Sequence, residues 1–315
     1  MNNQLISVVM PAYNEEGNIR AIHDAIVAAF AGREDLELVF VDDGSQDATA
    51  GQVRALQGGR ARVRLIRFGR NFGHQAALLA GLQTAQGAAV ITMDCDMQHP
   101  PELLPAMVEA WRGGARVVQM VRTETVGAGW FKRVTSDTFY RVLNVLSETP
   151  VLRGAADYQL LDREVVRSLL QFQDRRPFLR ALVQWLGYPT VRIPYTAAAR
   201  FSGSSAYSLR KMLRLSVEAV TGLSSKPLRL CSYLGLVTAA LCLVYSVYSV
   251  IQLIAGRTVQ GWTSVIVSVL FLGAAQLVSL GILGEYIARI HEQTRGVPPF
   301  VIVEGEEPAR NAKGA

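Results

Sequence analysis

The sequence predicts an α/β domain built on a mostly parallel, doubly wound sheet, followed by two helices that cross a membrane. Three observations carry this. Short apolar runs alternate with helix-length segments through the first half of the 315 residues, the pattern of strand–helix–strand units. Consecutive runs end in polar, acid-rich clusters, as expected where parallel strands deliver side chains to one edge of a sheet. In the last third, Leu230 to Gly256 and Thr258 to Gly284 contain no Asp, Glu, Lys or Arg, and each exceeds the ~20 apolar residues that a bilayer core requires.

The composition agrees with that division. Half of the residues are hydrophobic, 18% are charged and the mean hydropathy is +0.20, a positive value that the two long apolar stretches account for. Met1 to Gln4 carry no basic group and the apolar run behind them breaks at Pro11, so no signal peptide is expected and the large domain is expected in the cytosol. Arg210, Lys211, Arg214, Lys226 and Arg229 precede the first apolar stretch, Arg289 and Arg295 follow the second, and Arg257 alone lies between them. This asymmetry places both termini in the cytoplasm. The net charge of +6 gathers beside the membrane segments, where it suits anionic lipid rather than nucleic acid. Three cysteines, Cys95, Cys231 and Cys242, suggest no disulfide framework and fit a reducing compartment.

Taken in order, Leu5 to Met10 reads as the first strand, ending in Pro11-Ala12-Tyr13-Asn14-Glu15-Glu16. Proline donates nothing to a ladder, so the strand is expected to stop or meet an edge there. Glu15 and Glu16 then open a helix to about Phe30, with acids in the favourable first turn. Glu37 to Val41 is the second strand, and Asp42-Asp43-Gly44-Ser45-Gln46-Asp47 follows it, with Gly44 allowing a tight turn and Asp47 or Ser45 capping the next helix. Val63 to Phe68 leads into Gly69-Arg70-Asn71-Phe72-Gly73-His74-Gln75 and a helix to about Gln86.

The fourth strand, Ala88 to Met93, delivers Asp94-Cys95-Asp96-Met97-Gln98-His99-Pro100. Asp94, Asp96 and Gln98 alternate, so on extended chain they share a side. Hard cations such as Mg²⁺ are held by one or two carboxylates together with substrate phosphates. A solvated strand-to-loop turn would use the same residues, but acid clusters at successive strand ends favour a metal-bound diphosphate. Neither GxGxxG nor a P-loop motif occurs at the first strand-to-helix turn, which disfavours dinucleotide binding and P-loop ATPase chemistry.

Val9 to Glu16, Val41 to Ser45, Arg70 to Gln75 and Asp94 to Pro100, in that order, resemble the family 2 glycosyltransferases of the GT-A fold. More narrowly the chain is similar to the polyprenyl-phosphate glycosyltransferases, the group of dolichol-phosphate mannosyltransferase and the bacterial bactoprenol glucosyltransferases. Gly284 to Ile290 also resembles the bacterial branch, so the likeness spans nearly the whole chain. It implies a nucleotide base and ribose against Pro11, Tyr13, Glu15 and Asp42, with Asp94 also near the ribose and Cys95 in the same donor-binding stretch. It further implies that Asp96 and Gln98 hold Mg²⁺ or Mn²⁺ across the diphosphate, which puts Asp96 among the catalytic residues. Arg122, after a strand expected over Gly113 to Val121, stands where the family has an arginine near the donor phosphates.

Trp130-Phe131-Lys132-Arg133 opens a helix to about Leu146, an aromatic and basic start that suits a lipid headgroup edge or a solvated face, with Arg133 a candidate for the lipid phosphate. Arg153 to Leu161 reads as a strand with Asp157 among small and apolar neighbours, an expensive place for an acid that is neither paired nor functional. The resemblance makes Asp157 the catalytic aspartate. A hydroxyl acceptor needs a base, whereas a polyprenyl phosphate is already an anion, so positioning is placed ahead of proton removal for Asp157. Gln184-Trp185 lacks the preceding arginine of processive polysaccharide synthases. Ala199 to Ser208 resembles the family's acceptor loop, with Arg200 suited to clamp diphosphate or lipid phosphate. Ala206 and Ser204 depart from that pattern, leaving Lys211 or Arg210 to supply a phosphate contact.

Leu209 to Leu223 interleaves apolar residues with Arg210, Lys211 and Arg214, the pattern of a helix lying in the membrane interface, with Pro227 separating it from the first span. Small residues in the spans, Gly273, Ala274, Ala275, Ser279, Gly281 and Gly284, favour close packing and hint at a homo-oligomer. Phe300 to Val303 reads as a short strand before a polar, disordered tail from Glu304. The expected organisation is a GT-A domain over residues 1–206, a juxtamembrane helix and linker over 207–228, two transmembrane helices over 229–289 and a cytosolic tail over 290–315. The expected activity is inverting transfer of a sugar, with glucose from UDP-glucose favoured, to undecaprenyl phosphate at the cytosolic face of a bacterial inner membrane. Transfer of another sugar, transfer to a hydroxyl, and a non-enzymatic scaffold are the alternatives.

Overall fold

The computed structural model describes residues 4–30, 35–59, 61–123, 154–172, 178–196, 224–256 and 261–305. They fall into two compact units, one holding a sheet and the C-terminal strand, the other holding two long helices.

In the first unit, eight strands form one sheet among the described residues, in the order β7-β5-β6-β4-β1-β2-β3-β8. The strands are β1 (Ile6–Ala12), β2 (Leu36–Asp42), β3 (Arg62–Phe68), β4 (Ala89–Thr92), β5 (Val117–Arg122), β6 (Ala155–Asp162), β7 (Thr190–Tyr195) and β8 (Ile302–Glu304). Helices α1 (Ile19–Phe30), α2 (Thr49–Ala55), α3 (His74–Thr84), α4 (Leu104–Arg112), α5 (Arg163–Leu169) and α6 (Leu179–Trp185) join or flank them, and a 3₁₀ turn, Pro101–Leu103, precedes α4. The sheet is mostly parallel, with β6 running against β4 and β5, and β8 against β3.

The core forms because β1, β2 and β4 are buried on both faces, which is what their near-continuous apolar runs require. Ile6, Met10, Phe40 and Ile91 are fully buried and pack with Ile22 and Ile26 of α1. Each such side chain contributes about 1.5–3 kcal/mol relative to exposure. Helix α3 lies so close to the sheet that a Cβ on Gly81 would begin 2.2 Å from Val9 Cγ1.

Several boundaries differ from expectation. β1 does not stop at Pro11 but pairs with β2 through Pro11↔Val41 and Ala12↔Asp42. Its pairing with β4 ends earlier, at Val9↔Thr92, followed by Met93 N–H donating to Val9 O at 3.1 Å. In a parallel ladder alternate residues face the same neighbour, so the donor that Pro11 lacks is the next one toward β4. The two strands part there, and the gap is the point at which the strand order reverses. Glu15 and Glu16 lie in a turn, and α1 begins only at Ile19, where Ile22 N–H bonds to Asn18 O. The strand expected over Gly113 to Val121 is Val117–Arg122, because Gly113 and Gly114 end α4. The strand expected over Arg153 to Leu161 is described from Ala155 to Asp162, where Asp162 accepts from Glu164 N–H and starts α5. Glu304 closes β8 instead of opening a tail.

The second unit holds α7 (Lys226–Ile254) and α8 (Trp262–Thr294). Lys226–Gln252 and Val265–Thr294 are long and apolar enough to cross a membrane. Pro227 sits in the first turn of α7, where no intrahelical donor is lost. Tyr286 Oη of α8 donates to Ser224 O at 2.6 Å. The helix expected after Trp130, with Arg133, the loop with Arg200, the amphipathic helix with Lys211, and the tail beyond Gly305 lie outside the described residues.

Candidate active site

The carboxyl ends of β1 and β2 carry the first two motifs, and their loops are tied to one another. Asn14 N–H donates to Ser45 Oγ at 2.9 Å and Gln46 N–H returns to Asn14 Oδ1 at 3.0 Å. Glu15 N–H donates to Thr49 Oγ1 at 2.9 Å, while Ala48 N–H donates to Glu16 Oε2 at 2.9 Å. Asn14 takes a φ of 56°, a conformation that asparagine tolerates better than most residues. Neither expected residue is the N-cap of α2, which is Ala48; Asp47, one residue earlier, accepts from Thr49 N–H at 3.0 Å. Ser45 is committed to Asn14. Asp42 is fully buried, accepts from Ser45 N–H at 2.9 Å and lies 3.1 Å from Arg67 Nε. Tyr13 is 45% exposed, so it stands at the surface and is no core aromatic.

The β3 loop is held from beneath. Asp43 accepts from Phe72 N–H at 2.6 Å and Gly73 N–H at 2.9 Å, and burial raises its pKa despite these donors. Gly44, at φ 73°, lies against this loop: a Cβ there would begin 2.5 Å from the Arg70 carbonyl carbon. Tyr13, Gly44, Ser45, Gln46, Arg67, Phe68, Gly69, Arg70, Asn71 and Val303 line a cavity of about 500 Å³.

Where β1 and β4 part, Asp94 to Gln98 forms a tight turn and not the extended chain that alternation implied. Met97 has a φ of 62°, and Gln98 N–H donates to Asp96 Oδ1 at 3.1 Å. The Cys95 side chain points into the core, where burial raises its thiol pKa, so this residue offers the site only its backbone. Asp94 is 38% exposed between two histidines, with His74 Nε2 at 3.7 Å and His99 Nε2 at 3.8 Å. Asp94 N–H donates to His99 Nδ1 at 3.0 Å. His99 is stacked on Tyr158 at 4.8 Å, and Tyr158 Oη donates to Pro100 O at 2.7 Å. These aromatics form a rigid bed under the acidic turn, and burial lowers the pKa of His99.

Because β6 is antiparallel to β4, its beginning arrives at this same edge. Thr92 Oγ1 donates to Asp157 O at 2.8 Å. Asp157 is buried, as its small and apolar sequence neighbours imply, and it is paired. Arg180 of α6 donates to both carboxylate oxygens, Nε to Oδ1 at 2.8 Å and Nη2 to Oδ2 at 2.9 Å. His74 Nε2 and Gln75 Nε2, at the start of α3, each lie 3.2 Å from Oδ2. Gln75 Oε1 in turn accepts from Leu179 N–H at 3.2 Å. Burial alone would raise the Asp157 pKa, but Arg180 and His74 hold it well below the usual carboxylate range. Burial likewise opposes charge on His74, yet its hydrogen bond to Asp157 and the fields of Asp94 and Asp157 raise its pKa. Arg122 ends β5 at the same edge, exposed, with its N–H bonded to Gly154 O at 2.9 Å.

The structure thus collects Pro11, Tyr13, Glu15, Asp42, Asp94, Asp96, Gln98, Arg122 and Asp157 along one sheet edge. No sequence motif singles out Arg180, and the Arg70–Gln75 motif by itself assigns no role to His74 or Gln75. Among the described residues no three His, Cys, Asp or Glu side chains converge as a ready-made metal cage. A cation held mainly by a substrate diphosphate needs only one or two carboxylates, and the hard oxygen donors of Asp96 and Gln98 fit that requirement.

The model of glycosyl transferase family 2 matches residues 7–170, and that of the GtrB C-terminal hairpin matches residues 226–290. The SfII prophage-derived bactoprenol glucosyl transferase of Shigella flexneri is 37% identical over 94% of this chain and 97% of its own length. An uncharacterized glycosyltransferase of Bacillus subtilis (strain 168), YkcC, is 37% identical over 94% of this chain and 92% of its own. Among solved structures, mannosyl-3-phosphoglycerate synthase from Rubrobacter xylanophilus aligns over 69% of this chain and 72% of that one, at 19% identity and a TM-score of 0.48. The chain belongs to glycosyl transferase family 2 and is a glycosyltransferase whose two long helices form the GtrB C-terminal hairpin.

Proposed function

We propose that this enzyme transfers glucose from UDP-glucose to the phosphate of a polyprenyl carrier, undecaprenyl phosphate, at the cytoplasmic face of a bacterial inner membrane. The observation that carries the reading is the Asp94–Gln98 turn at the parting of β1 and β4, set beside a buried aspartate that is held as an anion. The similarity to bactoprenol glucosyl transferases over nearly the whole chain supports the sugar and the acceptor. The two apolar helices and their basic flanks support the membrane location and the orientation.

Pro11, Tyr13, Glu15, Asp42 and Asp94 take the nucleoside end of the donor, and Arg122 and Arg200 meet its phosphates. Asp96 and Gln98 hold Mg²⁺ or Mn²⁺. When bound, the metal neutralises charge developing on the departing diphosphate. The acceptor phosphate, guided by Arg133, Arg200 and Lys211, attacks the anomeric carbon from the face opposite the diphosphate, so configuration inverts. The new bond is carbon to phosphate oxygen, and the bond to the UDP oxygen breaks.

Asp157 takes no proton in this scheme. Both its oxygens already accept from cations, and a carboxylate held far below its ordinary pKa is a poor base. It fixes Arg180 and His74 at the edge of the site and acts by positioning and field. A phosphate acceptor needs no base, so the geometry favours it over a hydroxyl.

Full-length protein in detergent, given radiolabelled UDP- and GDP-sugars with undecaprenyl phosphate, tests the reading. It predicts lipid labelled from UDP-glucose only with Mg²⁺ or Mn²⁺, and a loss of roughly 10³-fold in Asp96→Ala. Donor hydrolysis without lipid labelling would make the acceptor wrong, and full activity of Asp96→Ala would put the metal elsewhere.

A further inference from the structure

The C-terminal strand has no part in the scheme above, yet it is built into the sheet edge with care. Arg67 pairs with Glu304 and Phe68 with Ile302, and Gly69 N–H donates to Val301 O at 3.1 Å. Phe300 stacks on Phe68 at 5.0 Å, and Phe68 meets Phe72 edge-on at 5.7 Å. Arg54 Nε donates to Glu304 Oε1 at 2.6 Å. A Cβ on Gly305 would begin 2.5 Å from Leu65 O. A strand that only shielded an edge from pairing would not need aromatic stacking before it, an ion pair at its end and a glycine just beyond it.

The grip falls on the loop that begins at Gly69. A Cβ on Gly69 would begin 3.1 Å from Val303 Cγ1, and Arg70, one residue on, sits over the Phe72 ring at 4.4 Å. Val303 itself is 62% exposed and lines the cavity of about 500 Å³ that Tyr13, Gly44, Arg67 and Arg70 also line. That volume lies in the range of small-molecule sites, which combine apolar walls with a few polar groups. Tyr13 and Val303 supply the apolar walls here. The backbone of Gly44 to Gln46 and two guanidinium groups supply the polar ones.

We propose that β8 is a wall of the donor site: Val303, together with Tyr13, encloses the base of a nucleoside diphosphate, and the strand's hold on Gly69 sets the Arg70 loop beside it. The chain that follows the hairpin thereby contributes to nucleotide affinity. This rests on the nucleotide-donor reading above.

The test is equilibrium binding of UDP, with GDP in parallel, to full-length protein in detergent with Mg²⁺. Val303→Trp narrows the cavity beside Tyr13 and is expected to raise the UDP Kd and the donor KM at least ~10-fold, with kcat at saturating donor and the lipid KM unchanged. Val303→Cys, in a Cys231→Ser/Cys242→Ser background, is expected to react with a maleimide and to be protected by UDP; this arm holds even if the tryptophan variant does not fold. Wild-type UDP affinity in folded Val303→Trp, or maleimide labelling of Val303→Cys that saturating UDP leaves unchanged, would overturn the inference. If the wild-type chain bound neither nucleotide, the donor reading itself would fall and the inference with it.

Discussion

Two buried carboxylates, each paired with an arginine, sit at opposite edges of the same sheet and do different work. Glu37, near the start of β2, is fully buried. Arg64 Nη1 donates to it at 2.9 Å, Gln86 N–H at 2.8 Å, and Ser7 Oγ donates to it as well. The ring closes on itself, since Gly87 N–H donates to Ser7 Oγ at 2.7 Å and Arg64 also donates to Thr84 O at 2.9 Å. It locks β1, β2, β3 and the turn into β4 together, with only 16% of the Arg64 side chain exposed. Asp157 is nearly as buried, but its partners reach outward: Arg180 is 32% exposed and His74 41%. One acid holds the amino ends of the strands in register. The other presents cations to the edge that carries the Gly44 turn, the left-handed residues Asn14 and Met97 and the acidic loop. Pairing alone does not mark function; what matters is whether the pair closes inward or faces a site.

The largest effect that would sharpen the contrast is thermodynamic. Glu37→Gln removes the charge of a fully buried carboxylate from a closed ring of donors and is expected to cost about 3–5 kcal/mol of unfolding free energy, with transfer per folded molecule unchanged. Denaturant unfolding beside an activity assay checks both halves, and a large fall in turnover with intact stability would break the contrast.

A smaller effect is expected on the other side. Arg180→Lys keeps the charge but loses the two-pronged fit to the carboxylate, so kcat should fall about 10-fold while stability changes less than in Glu37→Gln. Unchanged kcat would show that the fork does not matter to the reaction.

The smallest effect is a pH dependence. The folded pKa of His74 lies above its ordinary value of 6.5. Its contribution to stability is therefore complete below about pH 6.5 and lost as pH rises through the folded value. Asp157 runs the other way: its folded pKa is depressed, so its contribution is present above the ordinary 3.8 and lost as pH falls toward the folded value. The melting-temperature difference between wild type and His74→Gln should thus shrink from pH 6 to pH 9. A difference that grew with pH would put the charge on His74 in doubt.

Much of the fold is legible in the sequence for a simple reason. β1, β2 and β4 are buried on both faces, so they read as near-continuous apolar runs, and their polar ends mark one edge. Three features resist such reading. β7 is short and largely exposed and contains Pro194, which in sequence argues against a strand despite the alternation of Val191, Ile193 and Tyr195. The reversal of β6 depends on where the chain re-enters the sheet, which no local residue encodes, yet it is what brings Asp157 to the site. Arg180 sits 23 residues from its partner in sequence, on a short helix where nothing distinguishes it from a surface arginine. The Glu37 ring is hidden likewise, because a glutamate at the start of a strand looks solvent-facing until Ser7 and Arg64 arrive from neighbouring strands. The site motifs are readable as residue types, while the partners that set their charge come from topology.

The most direct test of this division is the transfer rate of Asp157→Asn set against that of Glu37→Gln, each normalised to folded protein. Asp157→Asn is expected to lose roughly 10²–10³-fold, and Glu37→Gln to keep a rate within about threefold of wild type. Near wild-type turnover in folded Asp157→Asn would contradict this division, and would leave the buried aspartate a structural anchor like its counterpart at the opposite edge.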